Sequence, residues 1–289
     1  MNFNNLSLVI PWSNRPGLLE MLLHTNSVLN DVLSSAGWTT SIIISSVSGN
    51  PSMLADIVTR SRITCTTIHA EAEFFNKSLA LNLGVHHATT RFLLLVDADV
   101  LLSEEIIRSF LEQAEQGMEN TFAVVRQLRE KTSDPNTAFR SSAHLEEIRE
   151  TLLIKCHDGT TACADYVFGP EGLRPTFGQL FLRRNAFVSI DGANSGLRGW
   201  GFQDTDLILR LQLKLGLRPI AVGIAQHLTH DNNLRETVTG QTVAYSQRAN
   251  RASAMSNYML GHFLGTYSRD CESWKSHLQV NHYASSTDS

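Results

Sequence analysis

The run Phe92-Leu93-Leu94-Leu95-Val96, followed at once by Asp97-Ala98-Asp99, constrains this chain more than any other feature. An apolar run without alternation reads as a strand buried on both faces, the mark of a parallel sheet covered by helices. The rest of the N-terminal half agrees. Residues 6–10 read as a strand stopped by Pro11, and Pro16 suits the start of a helix over 18–33. Strands over 39–47 and 63–68 alternate with helices over 51–59 and 76–87, where Leu79, Leu83 and His86 recur at helical spacing. A helix over 103–116 and a strand over 121–128 follow. This alternation predicts an α/β fold: a single domain with a mainly parallel central sheet flanked by helices and right-handed crossovers.

The second half is less regular. Residues 129–175 are polar and turn-rich, with Ser133-Asp134-Pro135-Asn136 and Gly169-Pro170 as breakers, and read as an inserted lid holding one helix over 143–155. A strand over 179–182, the stretch 199–206, a helix over 205–215 and a strand over 220–222 complete the pattern. Gly216 is a good helix stop, with Pro219 beyond it. The tail over 241–263 reads as one amphipathic helix, whose Met255, Met259 and Phe263 could cover the core or a second copy of the chain. The expected organisation is therefore a domain over 1–240, with 129–175 as its insertion, and a helical C-terminal extension over 241–289.

Composition narrows the function classes. The chain has 289 residues, 42% of them hydrophobic and 18% charged, so it can bury a core and is not a disordered segment. Its net charge of -4 argues against a dedicated nucleic-acid binder, and an anionic ligand must be met by a few placed cations or by a metal. The four cysteines form no C-x-x-C pair, which removes zinc-ribbon and redox motifs. Cys156 and Cys163 could pair in an oxidising compartment, whereas free thiols fit a reducing one. No run of about 18 apolar residues is present, so a cytoplasmic protein without a membrane span is expected. Neither G-x-G-x-x-G after the first strand, nor a phosphate-binding G-x-x-x-x-G-K-[ST], nor a G-x-S-x-G elbow occurs.

Three groups could carry chemistry. Asp97 and Asp99 follow the central strand, at the sheet end where ligands of such folds bind. Two carboxylates there repel each other, and a divalent cation such as Mg²⁺ or Mn²⁺ would relieve them; a plain loop with Asp97 as a cap is the other reading. His227 and His230, three apart after a strand, could turn both rings to one point and suit Mn²⁺, or could be ordinary structural histidines. In Gly199-Trp200-Gly201-Phe202-Gln203-Asp204-Thr205-Asp206, the glycines admit close backbone approach and the indole offers the flat face that sugar binding needs. Asp204 reads as a helix cap or as a general base, and Asp206 as a partner of the helix dipole.

Together and in order, Val9 to Arg15, Phe75 to Gly84, Leu95 to Val100, Phe177-Gly178, Gly199 to Leu207 and His227 to His230 resemble a GT-A glycosyltransferase. The chain is similar in particular to β-1,4-galactosyltransferase-like and chondroitin-polymerase-like enzymes, with family 2 as the wider group. The resemblance implies that Pro11, Arg15, Asn76 and Lys77 lie at the nucleotide diphosphate. It implies that Asp97 holds ribose or metal, that Asp99, His230 and His227 are metal ligands, and that Asp204 is the catalytic base. Trp200 and Gly201 would floor a sugar. Gln203 stands where the family often carries Glu, and Thr176, ahead of Phe177-Gly178, stands where galactose-specific members tend to place Tyr. The small Thr176, with Gly178, leaves room for an N-acetyl group. The implied activity is an inverting, Mn²⁺- or Mg²⁺-dependent transfer of a hexose or N-acetylhexosamine from a UDP-sugar to a hydroxyl of a saccharide, lipid-linked or peptide acceptor. Two alternatives stay open: a sugar-nucleotide nucleotidyltransferase, although residues 11–15 lack its glycines, and a non-catalytic sugar-binding subunit of the same fold.

Overall fold

The computed structural model describes residues 5–15, 17–130, 146–170, 172–228 and 240–284. Among them a ten-stranded sheet forms the centre. β1 (Asn5–Trp12), β2 (Thr39–Val47) and β3 (Cys65–Ala70) run parallel, and β4 (Phe92–Leu95) lies parallel to β1 on its other side. All of β4 is buried, as its unbroken apolar sequence demands. Beyond it, β10 (Leu180–Arg183) runs antiparallel to both β4 and β6 (Thr121–Glu130). β11 (Arg218–His227) pairs parallel with β6, and the short β5 (Val100–Leu101) closes this side antiparallel to β11. β9 (Leu173–Pro175) pairs with the end of β6.

Helices cover both faces. Alternate residues of β1 feed the two layers: Leu6, Leu8 and Ile10 join one apolar cluster, and Val9 joins the other. The first cluster includes α1 (Leu18–Ser35), α2 (Pro51–Ser61) and α4 (Glu104–Glu115). α2 starts where Asn50 Oδ1 accepts from the amides of Ser52 and Met53, with Pro51 in the first turn. On the other face lie α3 (Lys77–His87), α5 (Arg184–Ser189) and α6 (Gln203–Leu215), the last ended by Gly216 at a φ of 64°.

The structure departs from the sequence reading in three places. The helix expected over 143–155 is β7 (Ile148–Lys155), paired antiparallel with β8 (Thr161–Phe168). Asp158-Gly159, with Gly159 at a φ of 87°, turns the chain, and Leu152 and Ile154 alternate toward the core while Leu153 and Lys155 face outward. This hairpin is fixed to α6 by Gln212, which accepts from Cys163 N at 3.0 Å and donates to Cys163 O at 2.8 Å. Residues 131–145 of the expected lid lie outside the described residues. Second, 199–202 is not regular structure; Phe202 takes a φ of 67° and α6 begins at Gln203 rather than at 205. Third, the tail is helical only in part. α7 (Val243–Met259) and α8 (Tyr267–Trp274) are followed by β12 (Leu278–Tyr283), which returns to the sheet and pairs antiparallel with β3. α7 turns Ser246, Asn250, Ala254 and Tyr258 into its own chain, Met255 and Phe263 pack on the core, and Met259 is exposed.

All four cysteines are free. Among the described residues no helix is long and apolar enough to cross a membrane.

α3 sits unusually close to β1 because position 84 carries no side chain. A Cβ there would lie 2.5 Å from Val9 Cγ1, itself fully buried. Gly84→Val should therefore lose about 1–3 kcal/mol of stability in urea unfolding through overpacking. A variant as stable as the parent would contradict this account of the α3 packing.

Candidate active site

The sheet's carboxyl end carries a cavity of about 350 Å³. β1 and β4 are neighbours, so the loops that follow them emerge side by side, and Val96 N extends the ladder by donating to Val9 O at 3.1 Å. Pro11 and Arg15 line the cavity from the first loop and Asp97 and Asp99 from the second. The first loop is braced by Trp12, whose indole N–H donates to Arg15 O at 3.1 Å, and by Asn14, whose Oδ1 accepts from Asn50 N at 2.8 Å. Asn14 holds a φ of 53°, a left-handed conformation that asparagine tolerates better than most residues.

Lys77 joins groups far apart in sequence. Its Nζ lies 2.6 Å from Asp97 Oδ1, 2.8 Å from Asp204 Oδ1 and 2.9 Å from Asp204 Oδ2. Gln179 donates to the other Asp97 oxygen at 3.0 Å. Burial pulls the Lys77 ammonium down, but the two carboxylates outweigh it and hold the group above its ordinary range. Asp97 is pushed up, first by burial and then by Asp204 and Asp99, against the opposing effect of Lys77. Space for this knot exists because residue 178 is glycine: a Cβ there would stand 2.6 Å from Asp97 Oδ2 and 2.9 Å from Lys77 Nζ. Lys77 reaches the cavity as the first residue of α3. Asn76 does not line it, because its side chain caps α3 through Leu79 N at 3.1 Å and donates to Ser195 O at 2.8 Å.

A second polar group occupies another part of the wall. In the sheet register His227 of β11 stands beside Glu130 of β6 and Val100 of β5. His227 Nδ1 is 2.7 Å from Glu130 Oε2, and Nε2 is 3.7 Å from Asp99 Oδ1. Arg174 Nε donates to the other Glu130 oxygen at 2.6 Å. Burial alone would raise Glu130, but the hydrogen bonds from His227 and Arg174 prevail and bring it down to about 2. Burial likewise opposes the His227 cation, yet the contacts with Asp99 and Glu130 prevail and raise its pKa. Leu228 N pins the loop opposite by donating to Asp99 O at 2.8 Å.

No three His, Cys, Asp or Glu side chains converge as a metal-ligand set among the described residues. Asp99 and His227 nevertheless form a close oxygen and imidazole-nitrogen pair on the cavity wall, a donor chemistry that fits Mn²⁺ or Mg²⁺. His230, the expected third ligand, lies outside the described residues.

The remaining wall is aromatic. Trp200 and Gly201 line it, and α7 grips their loop: Ser246 Oγ accepts from Trp200 N at 3.1 Å and donates to Trp200 O at 2.8 Å, while Asn250 donates to the carbonyls of Arg198 and Gly201, both at 2.9 Å. Gln203 also lines the cavity, but its amide donates to Gly199 O at 2.7 Å, a bond that an ionised glutamate could not make. Thr176 is buried in the wall next to Phe177, whose ring meets Tyr166 of the hairpin edge-on at 5.1 Å. Asp206 is not at the cavity; buried, it pairs with Arg210 at 2.8 Å and accepts from Tyr258 at 2.7 Å, tying α6 to α7. Glu130, Arg174, Gln179 and Tyr166 were not singled out from sequence. The alternation of β8 could have pointed to Tyr166; nothing in the local pattern marks the other three.

The protein-family description that matches is glycosyl transferase family 2, over residues 7–171. That stretch takes in Pro11, Lys77, Asp97 and Asp99 and stops short of Thr176, Asp204 and His227. No curated protein matches the chain in sequence. Among solved structures the chain is similar to S. aureus TarS 1-349, at 10% identity over 84% of this chain and 68% of that one, with a TM-score of 0.50. It is also similar to the catalytic domain of Drosophila beta1,4galactosyltransferase 7 in complex with xylobiose (14% identity, 83% and 80% covered, TM-score 0.47). Mannosyltransferase PcManGT from Pyrobaculum calidifontis, in complex with GDP-Man and Mn²⁺, gives 12% identity, 94% and 75% covered and a TM-score of 0.48.

The shared ammonium leads to a pH-dependent expectation. A carboxyl whose folded-state pKa is raised destabilises the fold progressively as the pH climbs from the ordinary carboxyl value to the raised one, and removing Lys77 raises Asp97 further. Lys77→Met should lose about 2 kcal/mol at pH 7.5, less than a fully buried pair because these side chains keep some solvent contact. The deficit should shrink toward pH 4, where Asp97 takes up a proton. Urea unfolding at both pH values measures it; an equal or larger deficit at pH 4 would count against the bridge.

Proposed function

Because the chain belongs to glycosyl transferase family 2, we propose that it moves a hexose or N-acetylhexosamine from a UDP-sugar to an acceptor hydroxyl with inversion at the anomeric carbon. The observation that carries this reading is the meeting of Asp97, Asp99 and Asp204 at one cavity large enough for a sugar. In the proposed reaction the acceptor oxygen bonds to the anomeric carbon as the carbon–oxygen bond to the diphosphate breaks, and the hydroxyl proton passes to an Asp204 oxygen. Charge develops on the sugar as an oxocarbenium-like centre. Lys77 pairs with Asp204 in the resting site and offers an ammonium to the incoming diphosphate, with Arg15 on the same wall. Asp99 and His227 would hold a divalent cation, Mn²⁺ or Mg²⁺, which when bound supplies Lewis-acid stabilisation of the leaving diphosphate.

The sugar side follows from the same wall. Trp200 presents an apolar ring beside Gly201 for a pyranose face. Thr176 supports an N-acetylhexosamine donor, because a small side chain there leaves the space that a tyrosine would fill. The acceptor is proposed to be a hydroxyl of a saccharide, free or carried on a lipid or peptide.

Asp204→Asn should lower turnover by roughly 10²–10⁴-fold, while UDP binding by calorimetry stays within a few-fold of the parent. Near-normal turnover would remove Asp204 from the mechanism. In a donor panel with Mn²⁺, UDP release should be faster from UDP-GlcNAc or UDP-GalNAc than from UDP-Glc or UDP-Gal; strict use of UDP-Gal would reject the assignment to Thr176. UDP binding without release from any donor would point instead to a sugar-binding subunit.

A further inference from the structure

We propose that Glu130, itself held by Arg174, is a positioning residue that turns the unprotonated Nε2 of neutral His227 toward Asp99 and so makes the pair a cation site. The inference rests on the reading of Asp99 and His227 as cation ligands and adds residues outside it.

The placement is a product of strand pairing. β9, β6, β11 and β5 lie side by side, and Arg174, Glu130 and His227 succeed one another across them toward Asp99, which immediately precedes β5. Each link is short: Arg174 Nε to Glu130 Oε1 is 2.6 Å and Glu130 Oε2 to His227 Nδ1 is 2.7 Å. Both oxygens of Glu130 are therefore engaged, one by a guanidinium and one by the imidazole, and the carboxylate cannot rotate without losing both. Glu130 and His227 are also well enclosed, with side chains 8% and 5% exposed, so little water is present to substitute for either bond.

The chemistry of the donors then fixes the ring. An ionised carboxylate only accepts, so the Nδ1 facing Glu130 must carry a proton. In the neutral imidazole this leaves the lone pair on Nε2, 3.7 Å from Asp99 Oδ1. A carboxylate behind a ligating histidine typically fixes the tautomer and raises ligand basicity, and its loss weakens metal binding about 10–100-fold. A purely structural Arg174–Glu130 ion pair would place no demand on which ring nitrogen holds the proton.

That difference defines the experiment. Glu130→Gln keeps the shape of the side chain, but Arg174 still requires an acceptor and should take the amide oxygen. The amide nitrogen then faces His227 Nδ1, which must accept, and the proton moves to Nε2. In the full-length metal-free protein, at a pH where the ring is neutral, nitrogen-15 NMR of His227 should show the Nδ1–H form in the parent and the Nε2–H form in Glu130→Gln. Electron paramagnetic titration with Mn²⁺ alone should show affinity falling at least tenfold in that variant. Glu130→Ala, a second variant in case the first folds poorly, should show a mixture of ring forms and a similar loss. An unchanged ring form, or Mn²⁺ affinity within twofold of the parent, overturns the proposal. A parent protein that binds no Mn²⁺ overturns the reading of Asp99 and His227 itself, a result separable from the first.

Discussion

One ammonium group holds two carboxylates at the carboxyl end of the sheet, and much of the local structure exists to put it there. Asp97 and Asp204 come from the end of β4 and the first turn of α6, and like charges so close cannot be enclosed without a cation between them. Lys77 supplies it from the start of α3. That start is set by the Asn76 cap, the depth of α3 by the missing side chain at Gly84, and the room for the contact by Gly178. A larger residue at either glycine or a lost cap moves the ammonium, and the carboxylates with it.

The rest of the polar site is separate in origin. Arg174, Glu130 and His227 are aligned by strand register on the far side of the sheet, where β6, β9, β11 and β5 meet. The cavity thus joins a helix-borne base with its counter-ion to a sheet-borne pair of cation ligands. The two are built by different packing and meet in the loop that carries Asp97 and Asp99. The Trp200 loop, held by Ser246 and Asn250 of α7, and the aromatic face of the β7–β8 hairpin complete the wall. The C-terminal segment thereby shapes the cavity without lining most of it.

The parallel core was legible because burial on both faces leaves an unmistakable trace: Phe92 to Val96 and Leu6 to Ile10 admit few other readings. The position of Asp97 and Asp99 followed from that strand alone. What stayed hidden depends on pairing between distant segments. Lys77 could be placed near a diphosphate by resemblance, but its bond to Asp204 spans 127 positions and leaves no local mark. Glu130 lies where β6 outlasts its apolar pattern, and its meaning comes only from the neighbouring strand. The hairpin strand over 148–155 looks helical in sequence because Glu146, Glu147 and Glu150 suit a helix, while the Asp158-Gly159 turn that decides the matter lies just beyond it. β12 leaves little trace in the sequence because an edge strand with one partner needs few apolar residues.

The most direct test of the two-part cavity is diffraction from crystals soaked with UDP and MnCl₂, with anomalous data collected at the manganese edge. The account predicts a single anomalous peak ligated by Asp99 and His227 Nε2, the diphosphate against it, and the Asp204 carboxylate facing the open remainder of the cavity. Bound UDP with no manganese between Asp99 and His227, or with Asp204 covered by the nucleotide, would contradict it.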